Sequence, residues 1–323
     1  MTHPSVQQQL RRDVEALALP GGRVVASAGH DAARAYIVER LRALGLSPYR
    51  NASFELPYSM EGGDFVNIAA CRPGEAPELP PLLVYAHYDT CGEQPGADDN
   101  AAAVAIALCV AERMIAAPGR RHVVFCFADA EEPPHFLTPS MGSIYFYERQ
   151  RLTDFHCAIA MDLVGHDVPV AGLEEALFIA GMESDPGLEQ AIVQCAPPPG
   201  LEPLPTLTRY IGDLSDYAVH RREKKPYLFL TCAHWEHYHE PTDTPDLLNY
   251  AKMEAIATYL LSLLHFLDTQ PLEGPFEGYD TTSTELAFMR RSVGPIVESL
   301  GMRLNDRSDI DSLAALMLHV FGL

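Results

Sequence analysis

The segment PLLVYAHYD (81–89) is a nearly continuous apolar run that ends in a histidine and an aspartate. Such runs are typical of strands that helices cover on both faces of a sheet. Five more apolar runs share this pattern: 65–70, 122–129, 157–164, 176–181 and 227–232. Helical patterns accompany them at 29–46, 99–116, 140–151, 186–195 and 249–267. The alternation predicts an α/β fold with a mainly parallel, mixed central sheet and helices on both faces.

The chain of 323 residues is predicted to form one main domain, 1–270, and a C-terminal helical extension, 271–323. The main domain shows neither a long linker nor an internal repeat. The extension opens with PLEGPFEGYDTTS and continues with helical patterns near 284–300 and 309–321. Two roles are open for it: packing on the main domain, or forming a contact between the subunits of a homo-oligomer.

The composition limits the partners of the chain. Its 47% hydrophobic residues suffice for a large core, and its net charge of −21 would repel nucleic acid and anionic membranes. The longest apolar run, 101–111, is too short to cross a bilayer. The first dozen residues lack the apolar block of a secretory signal, so we expect a cytoplasmic protein. The seven cysteines form no CxxC pair and are expected to be buried apolar residues, with a cysteine-based zinc site or a disulfide framework as the alternative.

Three of the apolar runs lead into side chains that can bind metals. The carboxyl ends of parallel strands meet at one edge of a sheet, so these groups should converge there. Two loops that precede helices, PGADDN (95–100) and HYHEPTDT (237–244), add further acidic and imidazole groups. The candidate site residues are His87, Asp89, Asp99, Glu131, Glu132, Asp162 and His239.

A cluster of carboxylates of this size needs cations. Two like charges about 4 Å apart repel by about 4 kcal/mol at an effective dielectric constant near 20, and basic side chains are scarce near the motifs. Imidazole and carboxylate ligands without a thiolate suit zinc, with manganese or cobalt as alternatives. Three carboxylates and one hydroxide balance two divalent ions, so two metal ions per chain are expected.

Six motifs in fixed order carry a resemblance to a known family: HYDT, PGADDNAAAVA, DAEE followed by MGS, AMDLVG, SDY and HEPTDT. Over roughly residues 25–267 the chain resembles the co-catalytic zinc aminopeptidases, the twenty-eighth metallopeptidase family. This family also contains glutamate carboxypeptidase and glutaminyl cyclase. The resemblance implies a zinc-exopeptidase-type fold and a pair of zinc ions that Asp99 bridges.

The resemblance also implies roles for the other site residues. Glu131 corresponds to the general base, and Asp89 corresponds to the residue that holds the ring of the histidine ligand. The implied remaining ligands are His87 and Asp162 for one ion, and Glu132 and His239 for the other.

Each assignment has a structural alternative. His87 could be an ordinary core histidine, Asp98 and Asp99 could cap the following helix, and the Glu131–Glu132 pair could lie in a solvated loop. His239 is preferred over His234 and His237 because the pair Asp243 and Thr244 follows at the family's spacing.

Three features outside the ligand set are also candidates. Asp216 in the SDY motif has either a functional or a structural role, and Tyr210 is either an oxyanion donor or a packed tyrosine. The insertion PPHFLTPSM (133–141) separates Glu132 from the following GS, and its Phe136 and Leu137 are expected to form a wall of the substrate pocket.

These features predict an aminopeptidase that acts on a peptide or small amide with a free amino terminus. The sequence contains neither GxSxG nor HExxH, so a metal-activated water is the expected nucleophile. A carboxypeptidase remains an alternative because Arg209, Arg221 and Arg222 could clamp a carboxylate. A glutaminyl cyclase with one zinc ion and a catalytically silent scaffold with the same fold also stay open.

Overall fold

A computed structural model describes residues 4–50, 52–116 and 119–321. It contains a nine-stranded mixed sheet, and the predicted α/β class is confirmed. The strands are β1 (Ser47–Pro48), β2 (Glu55–Met60), β3 (Gly63–Arg72), β4 (Leu82–His87), β5 (Val123–Ala128), β6 (Cys157–Met161), β7 (Ala176–Ala180), β8 (Glu202–Pro205) and β9 (Tyr227–Thr231). The strand order is β1-β3-β5-β4-β6-β9-β7-β8, and β2 pairs with β3.

The helices surround this sheet. Those before the extension are α1 (Val6–Leu17), α2 (Ala28–Ala43), α3 (Ala103–Ile115), α4 (Gly142–Tyr145), α5 (Pro186–Gln194), α6 (Thr208–Ile211), α7 (Ala218–Arg222) and α8 (Tyr250–Leu267). Those of the extension are α9 (Thr282–Ser292), α10 (Gly294–Ser299) and α11 (Arg307–Phe321).

The centre of the sheet is parallel, and its flanks contain antiparallel pairs. β4 runs parallel to β5 and to β6, and β6 runs parallel to β9. β3 is antiparallel to β5, and β7 is antiparallel to β9. Because β4, β5 and β6 are neighbours with the same direction, their carboxyl ends meet at one edge, as the apolar runs predicted.

The two faces of the sheet join different core clusters. On β4, Leu82, Val84 and Ala86 belong to the larger cluster, whereas Leu83 and Tyr85 belong to a second one. This alternation is the two-residue period of a strand. It explains why the run reads as continuously apolar, since helices cover both faces.

Some elements were not predicted from the sequence. α1 is a short amphipathic helix that begins with a capping box at Ser5 and buries Leu10, Val14 and Leu17. β2 lies at the edge of the sheet and contains Pro57, which weakens a strand pattern. The predicted helix at 284–300 is divided into α9 and α10, and a glycine and a proline follow the break at Val293.

The extension packs on the main domain. α9 contacts β8 at the edge of the sheet, and α11 contacts α6 and α9. The boundary at residue 270 and any contact between subunits stay predictions. None of the described helices is both long enough and apolar enough to cross a membrane. All seven cysteines are free; five are buried as expected, whereas Cys71 and Cys91 are half-buried.

Candidate metal centre

Asp99 lies between two histidines at the carboxyl edge of the parallel strands. One of its carboxylate oxygens is 3.3 Å from Nε2 of His87, and the other is 3.1 Å from Nε2 of His239. His87 is the last residue of β4. The peptide bond between Asp99 and Asn100 is cis. The two distances show that the carboxylate of Asp99 faces both histidines at once, which is the arrangement a bridging ligand needs.

Each histidine is also close to a second acidic residue. Nε2 of His87 lies 3.5 Å from Asp162, which follows β6, and 3.8 Å from Glu131. Nε2 of His239 lies 3.2 Å from Glu132. We call these side chains the ligand rim: His87, Asp99, Glu132, Asp162 and His239. The five far-apart sequence positions therefore meet at one place in the structure.

The chemistry of the ligand rim fits zinc. Buried polar atoms normally have hydrogen-bond partners, yet at least one atom of each rim residue has none among the described residues. These atoms are Nδ1 and Nε2 of His87, Oδ1 of Asp99, Oε1 of Glu132, Oδ1 of Asp162 and Nε2 of His239. Imidazole nitrogen and carboxylate oxygen are zinc ligands. A bound cation would satisfy these atoms and offset the repulsion between the carboxylates.

The pKa values at the rim reflect burial and crowded charge. Burial raises the pKa of Glu132 to about 8, and the neighbouring Asp99 carboxylate adds to the shift. Burial also raises the pKa of Glu131 well above its usual range, aided by Asp162 and Glu132 although His87 opposes the shift. Burial lowers the pKa of His239, but the close carboxylates of Asp99 and Glu132 outweigh burial and raise the value to about 10.

Asp89 holds the loop that carries the two glutamates. Its carboxylate accepts hydrogen bonds from the backbone N–H groups of Glu131 and Glu132, both at 3.1 Å. The same carboxylate lies 3.4 Å from Nδ1 of His87. Burial raises the pKa of Asp89, but the histidine and the two N–H groups outweigh burial and lower it. Asp89 thus positions three residues of the site.

Hydrogen bonds to buried carboxylates hold the loop before α3. Asp243 accepts hydrogen bonds from the backbone N–H groups of Asp98, at 2.9 and 3.1 Å, and Asp99, at 3.1 Å. The side chain of Asp98 accepts from the N–H of Gly165 at 2.6 Å and lies 2.6 Å from Nδ1 of His166. No side chain caps the start of α3, so the capping alternative for Asp98 and Asp99 is wrong.

Unusual backbone conformations accompany the rim. Ala130, Leu163 and His239 have φ angles of 53°, 52° and 59°, in the left-handed region that non-glycine residues seldom occupy. Ala130 precedes Glu131, and its conformation interrupts the alternation of β5 so that adjacent glutamates reach one site. Such strain is often found at functional sites.

Two residues near the rim were missed by the sequence analysis. The guanidinium of Arg23 is fully buried and donates to five carbonyl oxygens, including those of Tyr88, Gly96 and Asp99. Burial lowers its pKa to about 10. Cys91 places its thiol near Glu132 and His239, and its pKa is raised to about 11, first by burial. Neither residue lies in a recognisable motif, although Cys91 follows Asp89 by two positions.

An apolar chamber with a volume of about 200 Å³ adjoins the rim. Its acidic end is lined by Asp99, Glu131, Glu132 and Asp162. The remaining lining is largely apolar and contains neither lysine nor arginine among the described residues. Phe136 contributes to the lining as predicted, whereas Leu137 does not and is 42% exposed.

The three arginines that could clamp a substrate carboxylate do not line the chamber. Arg209 pairs with Asp311, Arg221 pairs with Asp213, and Arg222 pairs with Glu148. All three are partly exposed and engaged on the surface. Because each arginine is paired with an acidic residue outside the chamber lining, none of the three is placed there to bind a substrate carboxylate.

Three other residues that the sequence singled out, Tyr210, His237 and Asp216, lie in different surroundings. The hydroxyl of Tyr210 donates its hydrogen bond to Asp311, so in this structure it does not offer that hydrogen to a substrate oxyanion. His237 bonds to Thr242, whereas His239 reaches the rim. Both carboxylate oxygens of Asp216 are buried without a hydrogen-bond partner among the described residues. Burial raises the pKa of Asp216 to about 7.

Sequence comparisons point to one family. The profile of peptidase family M28 matches residues 67–264. The uncharacterized protein YfbL of Escherichia coli (strain K12) is 25% identical over 236 residues, which cover 63% of this chain and 72% of YfbL.

Three solved structures share the fold. The Zn-dependent exopeptidase from Parabacteroides distasonis is 16% identical with a TM-score of 0.63, over 80% of this chain and 97% of that chain. The LapA aminopeptidase of Legionella pneumophila is 15% identical with a TM-score of 0.64, over 83% and 73%. The glutaminyl cyclase of Porphyromonas gingivalis is 19% identical with a TM-score of 0.64, over 80% and 96%. At these identities the likeness concerns the fold.

Proposed function

The chain belongs to peptidase family M28, and on this premise we propose that it is a zinc aminopeptidase that removes the first residue of peptides or small amides. The observation that carries the proposal is the ligand rim, with its unpartnered buried atoms, at the acidic end of an apolar chamber. The rim supports metal-dependent hydrolysis, and the chamber supports recognition of an amino-terminal residue.

Two zinc ions fit the rim, with manganese or cobalt as alternatives. His87 and Asp162 would hold one ion, Glu132 and His239 would hold the other, and Asp99 would be shared. When bound, zinc polarises a substrate carbonyl and lowers the pKa of a bound water toward 7. The side chains of the protein would then position the ligands and the substrate and transfer the proton of the attacking water.

Glu131 is the proposed general base. It lies 3.8 Å from Nε2 of His87 and directly precedes the proposed ligand Glu132, so it can face the attacking water without belonging to the ligand set. Its carboxylate would accept a proton from water and deliver it to the leaving amine. Asp89 is a positioning residue, because it holds the backbone of Glu131 and faces the ring of His87.

The charges around the chamber favour a substrate with a free amino group. The α-ammonium would lie near carboxylates, whereas a substrate carboxylate would meet no lysine or arginine among the described lining residues. The pairing of Arg209, Arg221 and Arg222 with acidic residues weakens the carboxypeptidase alternative.

The cyclase and scaffold functions have less support. Glutaminyl cyclases share the fold, but a cyclase with one zinc would not need both ligand pairs, and here both pairs converge on Asp99. A silent scaffold would be expected to lose ligands, and all five lie at the rim.

The zinc content and the reaction distinguish these functions. The purified chain is loaded with zinc and assayed with three substrates. Leucine p-nitroanilide tests for an aminopeptidase, a peptide with a free carboxyl terminus tests for a carboxypeptidase, and a peptide that begins with glutamine tests for a cyclase. We expect about two zinc ions per chain and release of p-nitroaniline. One ion with cyclisation would identify a cyclase, and neither metal nor turnover would identify a scaffold.

Partners beyond the substrate remain proposals. The net charge of −21 supports the absence of nucleic-acid and anionic-membrane partners. A homo-oligomer through residues 271–323 stays a prediction, as does a cytoplasmic location.

A further inference from the structure

One wall of the chamber comes from the C-terminal extension. Ala314, Met317 and Leu318 of α11 line the chamber, and we call these three residues the α11 wall. The family profile ends at residue 264, so the wall lies outside the matched region. It completes a chamber whose other lining comes from β7, β9, α6 and the loops around the rim.

α11 is anchored through the residues that precede this wall. Arg307 donates to both carboxylate oxygens of Glu285 in α9, a side chain with no exposed surface. Asp311 accepts hydrogen bonds from Arg209 and Tyr210 at α6. Within α11, Ile310 and Leu313 are buried in the main core cluster. The wall is therefore part of the folded structure and has a defined position beside the rim.

The size and chemistry of the chamber define its occupant. An apolar cavity of about 150 Å³ is large enough to bind benzene, so about 200 Å³ accommodates one aromatic or large aliphatic side chain. An acidic side chain would find no cationic partner and would meet the rim carboxylates. A small side chain would leave part of the lining without contacts and lose their dispersion energy.

We propose that the α11 wall sets the substrate preference, by selecting a large apolar side chain such as that of phenylalanine, leucine or methionine at the first position. The inference rests on the proposed function, since it places the α-ammonium at the acidic end of the chamber and the attached side chain against α11. The extension is then a specificity element of the site.

Two neighbouring alanines allow a matched test. Ala314 lines the chamber, whereas Ala315 is exposed on α11. The zinc-loaded wild type, Ala314→Trp and Ala315→Trp are titrated calorimetrically with L-phenylalaninol and with ethanolamine. Both ligands carry the amino group, and neither contains a bond that a peptidase cleaves. Thermal melting checks that each variant is folded, and leucine p-nitroanilide hydrolysis is measured in parallel.

We expect L-phenylalaninol to bind the wild type at least tenfold more tightly than ethanolamine does. Ala314→Trp should remove that advantage, while Ala315→Trp should leave both affinities within twofold. If Ala314→Trp does not fold, Met317→Ala provides the opposite test, because a larger chamber should favour L-tryptophanol over L-phenylalaninol relative to the wild type.

The inference is overturned if the wild type shows no preference for L-phenylalaninol, or if the two folded tryptophan variants behave alike. It is also overturned if Met317→Ala, used in place of an unfolded variant, leaves the ligand preference unchanged. A binding preference without hydrolysis would refute the proposed function but retain the α11 wall. Hydrolysis without a preference would refute the wall alone.

Discussion

The ligand rim and the α11 wall face the same chamber but are built in different ways. The rim residues lie at strand ends and in two loops, and buried carboxylates such as Asp89 and Asp243 hold the backbone around them. The wall consists of apolar side chains on α11. This helix is anchored by an ion pair at the surface and by another that is partly buried. The proposed chemistry therefore depends on buried hydrogen bonds that hold the backbone around the rim, whereas the proposed selectivity depends on where a helix of the extension packs.

The largest expected effect comes from removing the residue shared by both halves of the rim. Asp99→Ala should lose both metal ions and all measurable hydrolysis, because each histidine loses its common carboxylate neighbour. Elemental analysis after dialysis measures the ions. An unchanged zinc content in a folded Asp99→Ala protein would contradict the bridging role.

Glu131→Gln separates metal binding from proton transfer. The variant should keep its zinc and lose about 10²- to 10⁴-fold in kcat, the usual contribution of a general acid–base residue. Measurements of kcat and zinc content on the same sample provide the check. The control is Glu39→Gln, an exposed residue of α2, and activity near that of the control would refute the assignment of Glu131.

Asp89→Asn tests how far the rim depends on its scaffold. The amide cannot accept two backbone N–H groups as the carboxylate does, so the metal affinity should fall about 10- to 100-fold, as for other residues that orient ligands. Competition with a chelator measures this affinity. Excess zinc should restore much of the activity, which it would not do if Asp89 itself transferred protons.

Arg23→Met tests the stability of the loop behind Asp99. The substitution leaves several buried carbonyl oxygens without a donor, and one such group costs about 1–3 kcal/mol. We therefore expect the free energy of unfolding to fall by at least roughly 3 kcal/mol, measured by urea denaturation. Arg42→Met, at an exposed position of α2, should change it little.

The smallest effect is expected at the anchor of the wall. Asp311→Asn weakens contacts with Arg209 and Tyr210 at the surface, where such pairs contribute about 0–1 kcal/mol. The variant should keep its zinc and its kcat while KM rises a few fold for substrates with a large first side chain. Glu298→Gln, on the exposed side of α10, is the control, and equal KM values would argue against the anchor.

The sequence allowed prediction of much of the rim because its groups follow buried strands. His87 ends β4, the glutamate pair follows β5, and Asp162 follows β6, so parallel pairing alone brings them to one edge. His239 depended on a family motif, since three histidines lie close together in that loop.

Other features could not be predicted because their partners are distant in the sequence. The five acceptors of Arg23 are backbone carbonyls, which no side-chain pattern reveals. β8 is a four-residue strand with two prolines, which are disfavoured inside sheets. The α11 wall combines ordinary apolar residues whose role depends on where the extension packs.

The central claim is that two metal ions share Asp99. Its most direct test is a crystal structure of the zinc-loaded chain with anomalous scattering recorded on both sides of the zinc absorption edge. We expect two anomalous peaks, one beside His87 and Asp162 and the other beside Glu132 and His239, with the Asp99 carboxylate between them. A single peak, or none at the rim, would contradict the account.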